Sequence, residues 1–366
     1  MKKITSRWLI ILLALNLVAA NPVRGQMPGL DFVYGGVEDA EKILQAYLEP
    51  FANILGSDLN AGWYNTARPH QLGGLDITAT VSWAKAPSGL LVFDMAALDL
   101  NGNMEPGAST MAPTVSGDMD DRPALTYSET VDLGGGNLQD IEYAKFALPN
   151  GTGIDFFPLP MGQLSVGLPF GTDVSARFIP MIQLGDYGEI GLWGVGGKHS
   201  VSQWIPGIKN LKFLDIAVQG GYTKVTSSAN VNVEPLDMDG LVDPDPNFDW
   251  DDQFVVQEVA GWTLNLITSQ TISVLTVYEG IGYANSQVEM ALHGHYPIPA
   301  VITGGENTGK PTYEIVEDPF ELNYENLNNL RLNIGVRIKL SVFTLHYDFT
   351  HTLYATHSVG IGVSFR

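Results

Sequence analysis

Seven aspartates crowd one stretch of this chain: Asp237, Asp239, Asp243, Asp245, Asp249, Asp251 and Asp252. Closely spaced carboxylate oxygens are what Ca²⁺ takes as ligands, and Asp237-Met238-Asp239-Gly240 opens like a calcium loop. The twelve-residue calcium pattern then needs a ligand at position five, Gly at six and Glu at twelve. Here those positions hold Leu241, Val242 and Phe248. The stretch therefore reads as a solvated acidic loop, with a loosely held Ca²⁺ on Asp237, Asp239, Asp243 and Asp245 as the alternative. His293-Gly294-His295 offers two imidazoles, but the next carboxylate is Glu306, so ordinary loop histidines are the favoured reading. Ser341, His346 and Asp348 have the side chains of a hydrolase. His346 and Asp348 are two apart, however, as on one strand face, and there is no Gly-x-Ser-x-Gly elbow and no phosphate-binding loop. No enzyme and no bound cofactor are expected. The chain has no Cys, which excludes disulfides and thiolate metal sites.

The elements that carry these residues alternate with period two. In 330–340, Leu330, Leu332, Ile334, Val336, Ile338 and Leu340 oppose Arg331, Asn333, Arg337 and Lys339; in 343–350, Phe343, Leu345, Tyr347 and Phe349 oppose Thr344, His346, Asp348 and Thr350. The last segment, 358–366, sets Val359, Ile361, Val363 and Phe365 against Ser358, Gly360, Gly362 and Ser364. One face is greasy throughout; the other is small, polar or charged. A closed barrel in lipid wants that pattern, with the polar set inside where water and counter-charges solvate it. Arg331, Arg337, Lys339, His346 and Asp348 are thus the candidate lumen-lining residues. Similar alternation marks 75–83, 164–168, 173–184, 214–223 and 254–266, and less regularly 89–98, 123–133, 141–148, 188–203 and 272–285. Because bacterial single-chain barrels use an even number of strands, this predicts an all-β antiparallel transmembrane barrel of about 12–14 strands. The segments 227–252 and 291–327 are long enough to be outer loops, and the last strand should end in the periplasm.

Residues 37–57 are the one clear helix. Ile43, Leu44, Tyr47, Leu48, Phe51, Ile54 and Leu55 recur at helical spacing. Pro50 should kink or divide it, and Gly56 should stop it. Glu38, Asp39, Glu41 and Glu49 suit a cationic lumen wall, so this segment is expected to plug the barrel, with Tyr47, Phe51 and Leu55 lining or blocking the passage. Lys2, Lys3 and Arg7 precede an apolar run from Trp8 to Ala20, a secretory signal in form. The expected division is a signal peptide at 1–25, a helical plug and linker at 26–71, and a barrel at 72–366. The formal net charge of −21 falls to −25 without the signal, which removes four positive charges (Lys2, Lys3, Arg7, Arg24) and no negative one. So acidic a chain argues against nucleic acid as a partner, and none is expected.

The Phe365-Arg366 terminus resembles the C-terminal signature of bacterial outer-membrane barrels. Gly62-Trp63-Tyr64-Asn65-Thr66-Ala67, Leu72-Gly73-Gly74-Leu75-Asp76, Gly196-Gly197-Lys198-His199-Ser200-Val201 and Gly220-Gly221-Tyr222-Thr223-Lys224 resemble an uncharacterised family of Bacteroidetes outer-membrane barrels. More distantly, the layout is similar to the long-chain fatty-acid outer-membrane transporter family. That resemblance implies an N-terminal hatch and a hydrophobic substrate. The family's Asn-Pro-Ala motif is here only Asn21-Pro22-Val23, within the signal, and no functional residue is carried over. The expected location is the outer membrane of a Gram-negative bacterium. Expected partners are outer-membrane lipid, lipopolysaccharide, the barrel-assembly machinery and a small-molecule ligand. Passive or gated uptake of that small molecule is the leading expectation. A structural or adhesive surface protein acting through its acidic loops is the alternative; a filled interior would favour it, and a continuous path past the helix would favour transport.

Overall fold

The computed structural model describes residues 31–104, 109–183, 188–211, 213–236, 238–324 and 329–365. The signal segment 1–25, Asp237 and Arg366 lie outside those residues. Ten strands form the wall: β1 (Leu75–Lys85), β2 (Phe156–Leu168), β3 (Thr172–Gln183), β4 (Gly188–Ser200), β5 (Leu214–Asn230), β6 (Phe254–Ile272), β7 (Leu275–His293), β8 (Asn329–Leu340), β9 (Phe343–His351) and β10 (Ala355–Phe365). Every neighbour is antiparallel. Pairing of β1 with β10, Leu75 opposite Phe365, closes the cylinder.

The wall has fewer strands than the 12–14 expected, and three segments account for the difference. Residues 89–98 make two 3₁₀ turns and a three-residue strand at Val92–Asp94. The other two, Ala124–Asp132 and Leu138–Ala147, form a hairpin. All three belong to the insertion 86–155 between β1 and β2. Their alternation is genuine, but period two reports a half-buried sheet without saying which sheet it joins. The hairpin buries Tyr127, Ala144 and Phe146 against the start of the helix instead of facing lipid.

The faces sort as a membrane barrel requires. Outward positions such as Ile77, Val174, Leu264, Ile281, Ile334, Leu345 and Ile361 are exposed and apolar, with Glu279 an exception. Two aromatic bands border them. Trp83, Trp193, Trp262 and Tyr347 face outward near one end, and Phe170, Trp204, Phe213, Phe343 and Phe365 are exposed near the other. From Leu75 to Trp83 is eight residues, about 27 Å along the strand and about 20 Å of height at the usual tilt. Above the upper band the outward residues turn polar, as at Lys224 and Glu258, which pair at 2.7 Å. One end carries the connections 169–171, 201–213, 273–274 and 341–342, of two or three residues each except 201–213, which has thirteen and holds two 3₁₀ turns. The other carries 86–155, 184–187, 231–253, 294–328 and 352–354.

Helix α1 runs from Val37 to Leu59, two residues beyond the expected end. It is continuous through Pro50 and past Gly56 because β1, β2, β6 and β7 all touch it, and such packing overrides local propensity. Asn53 and Ser57 donate to the carbonyls of Glu49 and Asn53 at 3.0 and 2.8 Å, and Asn60 to that of Gly56 at 3.2 Å.

Candidate functional site

The lumen changes chemistry along its length. Near the long-loop end α1 is packed by apolar side chains. Phe51 meets the edge of Phe157, ring centroids 5.8 Å apart. Leu55 and Leu59 lie against Leu159, Val225 and Val259 around a cavity of about 20 Å³. Tyr47 donates its hydroxyl to the carbonyl of Asn150 at 3.0 Å. Below Leu59 the wall is polar: Thr78, Ser165, Asp173, Arg177, Gln219, Thr263, Asn265, Arg331, Asn333, Arg337, His346 and Asp348 are all buried.

Residues 60–70 thread this polar half. Chain direction dictates it, since β1 begins at the short-turn end and the helix must deliver the chain there. The carboxyl end of α1, the negative pole of its dipole, therefore points at the cations. Arg177 donates to the carbonyls of Leu59 at 3.0 Å and Ala61 at 2.7 Å, and to Gln163 Oε1 at 3.1 Å. Arg331 donates to the carbonyl of Asn60. This corrects the expected pairing of the acidic helix start with Arg331, Arg337 and Lys339. Glu38 is exposed and pairs with Lys42 at 2.9 Å. Asp39 accepts from the backbone amides of Asn101 at 2.8 Å and Gly102 at 3.0 Å, and from the Tyr127 hydroxyl at 3.0 Å.

Further down, Thr66 Oγ1 lies 3.4 Å from Ser269 Oγ, which accepts from the amide of Ala67 at 3.0 Å. Lys198 donates to the carbonyls of Thr66 and Arg68, both at 3.2 Å, and meets Asp173 at 3.2 Å. At the mouth Arg68 pairs with Asp215 at 2.9 Å. His70 is held between Asp173 at 3.0 Å and Asp76 at 3.7 Å. The linker is thus fastened mainly through its backbone carbonyls.

Wall glycines make room for its side chains. Trp63 lies against Gly196 and Gly221, Tyr64 against Gly280, and Asn60 against Gly261. The segments Gly62–Ala67, Gly196–Val201 and Gly220–Lys224, far apart in sequence, are a ring and its socket. Trp63, Tyr64, Arg177 and Lys198 were not among the residues singled out as a site. The signal for them was present: glycine stands at inward positions of β4 and β5, where a barrel wall otherwise carries side chains.

Among the singled-out residues, Arg337 lies 3.8 Å from Asp76, and Lys339, half-buried, donates to Ser364 at 3.3 Å. Asp348 accepts from Tyr278 at 3.1 Å and Asn333 at 2.9 Å, and His346 is buried beside Gly360. Ser341 sits in the turn after β8 at positive φ, apart from both. Asp239, Asp243 and Asp245 are exposed. Asp243 accepts from the Tyr313 hydroxyl at 2.5 Å. Among the described residues no three His, Asp or Glu converge as metal ligands. His293 pairs with Asp318 at 3.3 Å, and His295 with Asp252 at 2.6 Å. The Asp252 carboxylate raises the His295 pKa above its ordinary 6.5, while His295 holds that of Asp252 below 3.8.

The chain matches, over residues 1–365, the model of a family of unknown function, DUF6588. No curated protein matches it. Among solved structures it is similar to the translocator domain of the autotransporter NalP from Neisseria meningitidis, at 10% identity over 81% of this chain and 90% of that one, TM-score 0.29. The outer-membrane protease OmpT from Escherichia coli is 5% identical over 80% and 97%, TM-score 0.31. The toluene transporter TodX from Pseudomonas putida is 11% identical over 87% and 96%, TM-score 0.25. Likenesses of this size carry no argument about function; the fold stands on the strand ladders themselves. They support neither the Bacteroidetes resemblance nor the fatty-acid transporter one.

Proposed function

This chain belongs to the DUF6588 family, and we propose that it is an outer-membrane barrel that takes up a small molecule when its internal plug shifts. The observation that carries this reading is a pair of arginines. Arg177 and Arg331 are 2% and 1% exposed, and neither has a carboxylate within ion-pair distance among the described residues. A buried charge needs a partner. Most of the partners are carbonyls of a separate segment, α1 and its linker; from the wall Arg177 has only Gln163 Oε1 and Met161 Sδ. Such charge-assisted hydrogen bonds contribute about 1.5–3 kcal/mol each, enough to hold the plug and little enough to let it go. Short turns then face the periplasm and long loops the exterior, as in other barrels of this kind. The lower aromatic band meets the inner leaflet, and lipopolysaccharide surrounds the upper one.

Passive diffusion does not suit this conformation. The cavity beside Trp63 measures about 30 Å³, room for about one water. That same filling favours the second reading, a structural surface barrel that presents its outer loops. The two are separated by loosening the seat. The double variant Arg177→Gln, Arg331→Gln, reconstituted in liposomes, should swell faster than the parent in small solutes. Unchanged swelling from a correctly assembled barrel would favour the structural reading.

A further inference from the structure

Trp63 occupies a slot that the wall builds for a flat ring. On β4 and β5, Gly196 stands directly opposite Gly221. A Cβ on Gly196 would lie 2.6 Å from the indole, and one on Gly221 2.5 Å, so the ring rests on bare backbone. Arg177 covers the ring, its guanidinium carbon 3.8 Å from the ring centroid, a separation at which a cation and a ring face attract. Along β5 the floor is bordered by Gln219 and Thr223, 3% and 0% exposed. Gln219 Nε2 has no partner among the described residues, and neither has the indole Nε1. Gln219 and Trp63 line the same small cavity. The indole therefore matches the slot in shape and in cation–π contact, but its Nε1 finds no acceptor there among the described residues.

The charges around the slot are divided: Arg177 lies over the ring, while the small cavity beside it is lined by Asp76 and Asp173 with His70 and Lys198. Inward wall positions among the described residues carry Arg177, Lys198, Arg331, Arg337 and Lys339 against Asp76, Asp173, Asp215 and Asp348. With the linker withdrawn, Arg177 loses the carbonyls of Leu59 and Ala61, and Arg331 loses that of Asn60. Asp215 in turn loses Arg68, and Asp76 and Asp173 lose His70, so an emptied lumen would carry five cations against four carboxylates, one positive charge in excess, inside a protein of formal charge −21.

Building on the gated-uptake reading, we propose that the seat of Trp63 is the binding site of the permeant, and that the permeant is a small planar aromatic anion such as an aromatic carboxylate. Its ring takes the place of the indole between the glycine floor and Arg177. Its carboxylate takes the place of the plug carbonyls on Arg177 and Arg331. In the closed state Trp63 and the 59–61 backbone occupy the site as an internal surrogate. A neutral arene fills the slot but restores none of the lost carbonyls, leaving Arg177 with only Gln163 and Met161; an aliphatic acid supplies acceptors but leaves the slot unfilled.

The test is Trp63→Ala in the full-length barrel, titrated calorimetrically with indole-3-acetate, indole and acetate. Saturable binding of indole-3-acetate is expected, at least ten-fold tighter than indole or acetate. Adding Arg177→Gln should weaken it at least ten-fold. Where Trp63→Ala fails to assemble, Trp63→Phe, whose smaller ring leaves part of the slot free, is titrated in its place. Liposome swelling of the same variant separates the two proposals. Raised swelling with no binding of indole-3-acetate overturns the substrate class and leaves gating standing. Neither binding nor raised swelling overturns both. Equal binding of indole and indole-3-acetate, insensitive to Arg177→Gln, overturns the anionic part.

Discussion

Adding one methyl group at Gly221 should unseat the plug. The new Cβ would stand 2.5 Å from Trp63 Cε2, 2.7 Å from Cζ2 and 2.8 Å from Cδ2, against an ordinary carbon–carbon contact of about 3.5–4.0 Å. The ring would have to retreat by roughly 1 Å. Retreat carries it toward Arg177, 3.8 Å from the ring centroid and fixed by its bonds to Leu59, Ala61 and Gln163. Overpacking of this kind costs about 1–3 kcal/mol. At about 1.4 kcal/mol per factor of ten, the unseated fraction rises roughly 5- to 150-fold. Gly220→Ala is the control, because its Cβ meets nothing closer than 3.7 Å. Both changes remove a strand glycine, so any gain in backbone stiffness is common to them. Open probability in planar bilayers is the readout, with assembly checked by heat-modifiable gel mobility. Indistinguishable open probabilities for the two assembled variants would refute the seat.

Other consequences are independent of the gate. Ile361, outward-facing and 63% exposed, should lie in the lipid band, so Ile361→Arg should cost about 2–4 kcal/mol near the midplane and lower the assembled yield; a yield equal to that of Ile361→Leu would remove it from the lipid face. An epitope inserted after Asp245 should be stained on intact cells, and staining only after permeabilisation would invert the barrel. The His295–Asp252 pair should tighten its loop in a defined pH window. His295 has a raised pKa, so its contribution is complete below 6.5 and lost as pH rises through the raised value. Asp252 has a lowered pKa, so its contribution is complete above 3.8 and lost as pH falls through the lowered value. Protection of the His295 amide, which donates to Asp252, measured against the free-peptide exchange rate at each pH, should be greatest between those limits; protection independent of the pair, matched by Asp252→Asn, would contradict this.

Much of the barrel was legible because lipid and lumen impose opposite chemistries on alternate residues. Strands β8 to β10 could be read nearly residue by residue for that reason. The insertion 86–155 shows the same period because its hairpin is also half-buried, on a core apart from the wall. The helix was visible from its apolar spacing, but its end was not. Gly56 ordinarily stops a helix, and only the surrounding wall keeps this one going to Leu59. The direction of the plug was also hidden. Acidic residues at 38–41 suggested contact with arginines, whereas chain order places the opposite end there, and carbonyl acceptors leave no trace in a sequence. In the sequence Arg177 is one more polar residue of an alternating strand. What distinguishes it is Trp63 beneath it, and that juxtaposition exists only once β3, β4 and β5 stand side by side.

The central claim, that flux requires the linker to move, can be tested by fixing it. Thr66 Oγ1 on the linker and Ser269 Oγ on β6 are 3.4 Å apart and buried, and the chain has no Cys. The double variant Thr66→Cys, Ser269→Cys therefore places two thiols, and no others, within reach of a disulfide. Solute flux into liposomes is measured with the bridge closed and again after reduction. Flux should be abolished while the bridge is closed and restored when it is reduced. Equal flux in both states, with the bridge shown to be complete, would contradict it.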